Sequence, residues 1–538
     1  MNMRAPVPGI QTSVSGGHAP PPSVTAGIGR EIELKMLVAK PDELDNIAAA
    51  PILHGHVLDH KKRRLTSVYY DTPDRALRKD GFTLRVRDDG DGYVMTVKSS
   101  ADSASDELLR GEWECAVSSQ DVDRIRLQGL LPADVLERIG EAALEPLFTT
   151  EIDREQTTLS FSSSIIEVAI DRGRVVSGDK TEPVAEVELE LKAGATAALY
   201  QLALALGQSG VLMPSSRAKA DRGFDLALGS KPTALKACQP DLSPRQPLDE
   251  SFAAIFASVL THLVGNLHFA GDSDSPEGVH QARVALRRVR AAFDLVKRTS
   301  GSPRIESLRA EAKRLEAALG DARDWDVFAT ETVPSILSKS VSVNGYDDLR
   351  GTAATARREA HQKGRLATTD EHVARFLLEL GLWARQRGWR GDATPEGLAQ
   401  LSKPTRRFAV DVLGALHRKA IKRGRHFDHL AADQRHQLRI ALKKLRYVAD
   451  FLLPVVGKTK QMKRYAQALA RLQDTLGRFN DIARTPGLIG ELKHRQELAH
   501  PNGAIAAILA SQAAELEHGE KGLRHRWHQF ARTAVPWA

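Results

Sequence analysis

Residues 31–35 read EIELK. In an extended strand successive side chains alternate between two faces, so Glu31, Glu33 and Lys35 point one way and Ile32 and Leu34 the other. The pattern recurs down the first half of the chain. Arg85 and Arg87 alternate with apolar residues, as do Arg110, Glu112 and Glu114, then Glu167 and Asp171, then Glu186, Glu188, Glu190 and Lys192. Behind the last set lie Val187, Leu189 and Leu191. Charges on one strand normally face water. Repeated over five or more strands, they predict a closed barrel instead, with helices over its apolar outside and charges lining a water-filled interior.

Carboxylate clusters bind hard divalent cations, and Mg²⁺ favours a few carboxylates completed by phosphate oxygens. Arg and Lys facing them clamp phosphates. Both kinds of group in one cavity imply a metal and a polyphosphate, with hydrolysis as the accessible chemistry.

Candidate strands are 31–37, 65–71, 82–88, 93–99, 111–117, 164–171 and 185–192, interrupted by helical segments near 121–140 and 195–209. Close spacing and short turns predict an antiparallel sheet. Residues 1–29 read as a disordered leader without the apolar stretch of a signal peptide. Residues 229–250, with several prolines and no periodicity, read as a linker. Beyond it the pattern is helical throughout.

The first half is similar to the CYTH, or triphosphate tunnel metalloenzyme, superfamily. EIELK matches its ExExK signature, and YYDTPDRALRKDGFTLRVR, TVK, RGEWE, Arg154, EVAIDRG, EVELELK and SRAKADRGF follow in order over residues 30–228. The resemblance implies an eight-stranded antiparallel tunnel for triphosphate and Mg²⁺ or Mn²⁺. Glu31, Glu33, Glu186, Glu188 and Glu190 would form the metal and water-activating set, joined by Glu112 and Glu114. Lys35, Arg85, Arg87, Lys98, Arg110, Arg154, Lys192 and Lys219 would hold phosphates. Glu31, Glu33, Lys35, Arg85 and Arg87 are the expected catalytic core. At the ending, Ala218 stands where the family places Ser, which unsettles the register of that expected strand.

The helical half contains a repeat. HQARVALRRVR (280–290) and HQLRIALKKLR (436–446) share six of eleven residues, and Phe252 and Phe408 each lie 28 residues before the shared His. LEAALGDARD (315–324) echoes LQDTLGRFND (472–481). A duplicated helical bundle follows, divided into residues 251–390 and 391–538. At helical spacing His280, Arg283, Arg287 and Arg290 form one ridge, flanked by Arg288, and His436, Arg439, Lys443 and Arg446 form the other, flanked by Lys444. No acid lies at i+4 of His280, Arg283, Arg287, His436, Arg439 or Lys443 to neutralise them. These segments look like the CHAD domain, whose implied role is binding inorganic polyphosphate. Histidines would add charge to the ridges as pH falls.

Charge divides the same way. Residues 1–250 hold 29 Lys/Arg against 38 Asp/Glu, whereas residues 251–538 hold 47 against 30 and 14 of the 18 histidines. The basic half should attract a polyanion. Aromatics at 5% count against a base-stacking nucleic-acid binder. Cys115 and Cys238 give neither a disulfide framework nor metal-ligand spacing. No apolar run approaches membrane-spanning length. The sequence thus predicts a cytoplasmic triphosphatase, associated with polyphosphate granules where these form, acting on tripolyphosphate, binding long-chain polyphosphate and engaging no membrane. Its oligomeric state is left open. Two rivals remain: a hydrolase or cyclase acting on a nucleotide or thiamine triphosphate, and a non-catalytic polyphosphate scaffold.

Overall fold

Alternation in EIELK does build a strand that closes a barrel. The computed structural model describes residues 29–99, 108–271, 276–339, 343–391, 393–494 and 502–537; the leader up to residue 28 lies outside them. Among the described residues nine strands form one antiparallel sheet: β1 (Gly29–Val38), β2 (Val57–Asp71), β3 (Phe82–Asp88), β4 (Tyr93–Ser99), β5 (Leu109–Val117), β6 (Glu145–Phe161), β7 (Ser164–Ser177), β8 (Lys180–Ala193) and β9 (Leu212–Pro214). Their order is β5-β4-β3-β2-β6-β7-β8-β1-β9, and pairing of β5 with β1 closes the ring. Eight strands therefore make the wall. The three-residue β9 extends it along Met36–Val38 of β1, beyond the stretch Gly29–Ile32 that β5 occupies. The sheet thus holds nine strands where eight were expected.

The longest strand, β6, was absent from the sequence-derived set. Its outward positions Glu151, Asp153 and Glu155 are charged, and its inward positions pass from Phe148 through Ile152 to Arg154 and Gln156, so neither face carries an apolar repeat.

Helices cover the outside. α1 (Glu43–Ala48) and α5 (Ala197–Leu206) bury Ile47, Leu199 and Leu202 against Leu34, Met36, Val187 and Leu189. α2 (Ala76–Lys79), α3 (Arg124–Leu127) and α4 (Ala133–Ile139) cover Leu84, Val86, Met95 and Val97. The motif YYDTPDRAL is explained by Asp71, a fully buried carboxylate that accepts N–H bonds from Thr72, Leu77 and Arg78 and so fixes the start of α2.

The interior is not water-filled throughout. SRAKADRGF forms the start of a helix, α6 (Lys219–Leu228), rather than a strand, and this helix plugs part of the barrel. Ala220 and Phe224 pack on inward-facing Leu65, Tyr69, Phe148, Ile152, Val175 and Val184. Gly223 permits this, because a Cβ there would run into the Phe148 ring.

The helical half comprises α7 (Leu248–Leu267), α8 (Pro276–Val296), α9 (Pro303–Ala318), α10 (Gly320–Val327), α11 (Tyr346–Thr368), α12 (Glu371–Arg385), α13 (Pro395–Leu401), α14 (Thr405–Arg423), α15 (Ala432–Leu452), α16 (Thr459–His494) and α17 (Asn502–Arg532). The repeats share one apolar core, and the equivalent rings of Phe252 and Phe408 meet edge to face at 5.7 Å. Contrary to the sequence reading, α7 is long and apolar enough to cross a membrane by length and composition. Most of it is buried as the central helix of this core, the usual place for a helix apolar on all sides.

The segment read as a linker is an extended strap. Leu235 is held through both backbone groups by the Asn266 side-chain amide, each bond at 2.9 Å. Cys238 O accepts from Ser258 and Arg288. α5 of the barrel half packs on α12, and Gly381 lies directly under the Tyr200 ring.

Candidate active site

β8 sets the depth of the tunnel. Side-chain exposure rises along its inward face from 0% at Glu186 through 13% at Glu188 and 26% at Glu190 to 38% at Lys192. The floor is therefore at Glu186 and the mouth at Lys192. Between them a cavity of about 610 Å³ is lined by Glu31, Glu33, Lys35, Arg85, Arg87, Lys98, Glu112, Glu114, Arg154, Glu188, Glu190, Lys192 and Lys219. Backbone pairing draws these together. Glu33 faces Glu190 and Lys35 faces Glu188 across β1–β8, and Lys98 faces Glu112 across β4–β5.

The floor is neutralised. Lys219 Nζ lies 2.7 Å from Asp171, 2.7 Å from Glu186 and 2.8 Å from Glu188. Arg154 donates from Nε and Nη2 to Asp171 at 2.7 and 2.6 Å, and from Nη2 to Glu188 at 2.8 Å. Lys35 pairs with Glu188 and sits 3.2 Å from Glu33. Burial opposes every charge here. Lys219, Lys35 and Arg154 nevertheless outweigh it and hold Glu188 well below the usual carboxylate range. Burial likewise opposes the Lys35 charge, and Glu188 and Glu33 hold its proton on. Glu186 does not line the cavity. Arg222 Nη1 holds it at 2.8 Å from behind, which makes it an anchor for Lys219.

Nearer the mouth, acid outweighs base. Lys98 Nζ is 3.1 Å from both Glu31 and Glu112. Burial, with Glu112 beside it, pushes the Glu31 carboxyl up against the pull of Lys98. Burial, helped by Glu31 and Glu167, pushes Glu190 up to about 6 against Lys192. Arg85 lies 3.5 Å from Glu112, and its Nε is buried without a hydrogen-bond partner among the described residues. Thr96 donates to Glu114 at 2.8 Å. Arg110 pairs through its backbone with Glu31, and its side chain lies outside the described residues.

Carboxylates crowded until their protons are held tightly are a donor set suited to a divalent cation. Among the described residues no three His, Cys, Asp or Glu side chains form a ready-made metal cage. That fits an ion whose other ligands are phosphate oxygens and water. Glu31, Glu33, Glu112 and Glu190 could hold such an ion. Sequence reasoning missed Tyr69, Arg78 and Gln156 in the lining and Arg222 beneath it, and placed Asp171 on the charged face without giving it a role in the site. Of these, Asp171 had a readable signal, its place in the EVAID alternation.

In the helical half the two ridges face one another where α8 meets α15. Burial, then Arg439, Arg287 and Arg283, lowers Lys443 to about 8. Burial and Arg287 lower Arg283 to about 10. Arg323 and Arg484, which sequence reasoning did not assign, add charge beside Arg283. The ridges are partly neutralised by acids from other helices. Arg290 pairs with Glu316, Lys444 with Asp294 and Arg446 with Asp474. Arg288 points away from the cleft, buried against His262 and Ser258. His280 does not gain charge on mild acidification, because burial and Arg323 hold it at about 4. His436 is exposed on α15.

The fold and site define a closed antiparallel barrel with a cation-lined, carboxylate-rimmed cavity, packed against a basic helical bundle. Residues 29–224 match the CYTH domain family and residues 254–489 the CHAD domain family; the chain is a CYTH domain followed by a CHAD domain. Over 203 residues it is 30% identical to an inorganic triphosphatase of Haemophilus influenzae, an alignment covering 38% of this chain and 56% of that protein. The chain thus spans little more than half the length of that curated relative. Among solved structures, the CHAD domain from the plant Ricinus communis is 26% identical at a TM-score of 0.48, covering 57% of this chain and 98% of the other. PptA from Streptomyces chartreusis is 15% identical at a TM-score of 0.39, covering 53% and 100%.

Proposed function

We propose that the barrel hydrolyses inorganic triphosphate to pyrophosphate and phosphate with Mg²⁺ or Mn²⁺, and that the helical half binds inorganic polyphosphate in the cleft between α8 and α15. The supporting observation is the division of charge along the tunnel, with paired cations at the floor and under-neutralised carboxylates toward the mouth.

A bound cation would neutralise phosphoryl oxygens and make water a better nucleophile. The chain supplies the rest. Lys35 and Arg154 are held by floor carboxylates with N–H groups to spare, so they are pre-oriented donors for the inner phosphates, while Lys219, whose three N–H groups go to Asp171, Glu186 and Glu188, contributes its charge at the floor. Arg85, Arg87 and Lys98 reach the substrate from the opposite wall. Arg85, 3.5 Å from Glu112, adds the charge of its guanidinium on that side. Glu31 and Glu190 stand toward the rim with Glu33 beneath them, where an attacking water can approach the terminal phosphorus in line and lose its proton to a carboxylate. The apolar plug around Phe224 excludes water from the rest of the barrel.

Phosphate release from tripolyphosphate tests the reading, with the full chain supplied with Mg²⁺ or Mn²⁺ and phosphorus NMR used to identify products. Stoichiometric pyrophosphate and phosphate support it. Turnover of nucleoside triphosphates alone would move the assignment to an organic substrate. Tight polyphosphate binding without turnover on any triphosphate would leave the scaffold reading.

A further inference from the structure

The two helical repeats differ on one face. Setting LEAALGDARD on LQDTLGRFND places Arg471 of α16 opposite Arg314 of α9. On α9 the exposed charges are cancelled: Arg314 lies 2.6 Å from Glu311, and Lys297 of α8 reaches Glu306. The matching positions on α16 are Ala468 for Glu311 and Lys463 for Glu306. From Lys458 to Gln473 the chain has five Lys or Arg and no Asp or Glu. The facing half of α17 likewise has no acid after Glu520.

Arg464 and Arg471 are seven residues apart, so they share one face and stand about 10 Å apart along the axis. With Gln461, Gln467, Gln529 and Thr533 they line a groove of about 430 Å³ between α16 and α17. Both arginines are exposed, and neither forms an ion pair among the described residues. Of the four basic residues of α9 from Arg304 to Arg314 only Arg314 keeps a basic counterpart, Arg471, and Arg464 stands at the position of Ser307; with Glu306 and Glu311 replaced by Lys463 and Ala468, these two arginines present free forks rather than a balanced solvent face.

We propose that this α16–α17 groove is a second polyanion site, separate from the α8–α15 cleft, and that it takes inorganic polyphosphate. Two guanidinium forks and three carboxamides offer many N–H donors to successive phosphoryl oxygens. No aromatic ring lines the groove, so it lacks the stacking platform by which single-stranded nucleic acid is held. The inference deepens the polyphosphate reading of the helical half and is independent of hydrolysis in the tunnel.

The test uses the full chain and titrates long-chain sodium polyphosphate at several salt concentrations. Four proteins are compared: wild type, Arg464→Gln/Arg471→Gln, Arg287→Gln/Lys443→Gln and the quadruple variant. The α16 pair is exposed, so its loss should leave the melting temperature unchanged. Expected are a several-fold loss of affinity in the α16 variant, a salt slope smaller by about 1 to 2, and residual binding in the cleft variant that the quadruple variant lacks. Wild-type affinity and slope in the α16 variant, with no residual binding in the cleft variant, would overturn the second site and leave the cleft reading intact. Wild-type binding in the cleft variant, lost only in the quadruple, would instead remove the cleft reading and support the groove. Displacement of the groove-bound polyphosphate by single-stranded DNA of equal charge at equal concentration would overturn the ligand assignment.

Discussion

Lys98 on β4 places its ammonium 3.1 Å from Glu31 on β1 and equally close to Glu112 on β5. Arg85 lies 3.5 Å from Glu112 and 3.9 Å from Glu114, so two cations face three carboxylates and a net negative charge remains at the seam where β1 and β5 close the barrel. At the floor, two carboxylates and Glu188 are instead shared among Lys219, Arg154 and Lys35. The two ends of the cavity therefore ask for different things. The floor is complete without a metal, and the seam is not.

Glu31→Gln/Glu33→Gln is expected to lower triphosphate turnover at least about 100-fold. Its melting temperature without metal should be unchanged or higher, since burying a neutral amide costs less than burying a charge. In wild type, Mg²⁺ or Mn²⁺ should raise the melting temperature by linkage. The double variant should lose that rise. Equal metal stabilisation in both proteins would place the cation elsewhere.

Lys219→Met removes the cation shared by Asp171, Glu186 and Glu188. Breaking a buried ionic cluster from one side leaves uncompensated carboxylates, so unfolding in urea should show a loss of about 3–5 kcal/mol. Burial opposes ionisation of Asp171, but Lys219 and Arg154 hold its carboxyl below the usual range. Its stabilising share is therefore present above the unfolded value near 4 and lost as pH falls through the lower folded value. The variant should show a smaller acid sensitivity, because Arg154 alone still holds Asp171.

His262 is buried between α7 and α8, with Nδ1 3.2 Å from Arg288 and Nε2 3.1 Å from Gln281. The guanidinium requires an acceptor at Nδ1, so the ring is neutral, and burial together with Arg288 lowers it to about 4. The unfolded chain binds this proton near pH 6.5 and the folded chain does not. Stability therefore falls as pH drops from about 6.5 to 4, by about 3 kcal/mol for this residue. Chemical denaturation across that range, comparing wild type with His262→Gln, should show a shallower slope in the variant.

Lys443 loses its proton near pH 8, so the α8–α15 cleft should bind polyphosphate more weakly as pH rises through that value. In Lys443→Arg the guanidinium keeps its charge, and the decline should shrink. Isothermal titration at pH 6.5 and 9 distinguishes the two. An identical decline in both proteins would place the titrating group elsewhere.

Gly381→Leu drives a side chain into the Tyr200 ring at the contact between barrel and bundle. Overpacking of this kind should cost about 1–3 kcal/mol. Tyr200→Ala in the same chain should recover part of it, and thermal melts of the single and double variants measure the recovery.

Strands with a one-sided apolar face were legible in the sequence because alternation reports burial directly. β1, β3, β4, β5 and β8 are of this kind. β6 was not legible, because its outer face is charged in solvent and its inner face changes from apolar plug to polar tunnel midway. The same change hid the plug itself. A helix that packs inside a barrel looks, in sequence, like any short amphipathic helix, and only Gly223 against Phe148 betrays its position.

The sequence by itself determined which side chains share a face: the inward glutamates, lysines and arginines of the barrel, and the basic ridges of α8 and α15. Those follow from the two-residue and 3.6-residue periods of the backbone alone. Tertiary structure decided which of these charges are already satisfied. Glu186 became an anchor because Arg222 arrives from α6, and Arg288 left the ridge because His262 and the strap carbonyl of Cys238 lie on its other side. Arg290, Lys444 and Arg446 found acids on neighbouring helices. A charge's role depends on its partners within a few ångströms, and those partners are brought by packing between segments far apart in the chain, which no local period encodes.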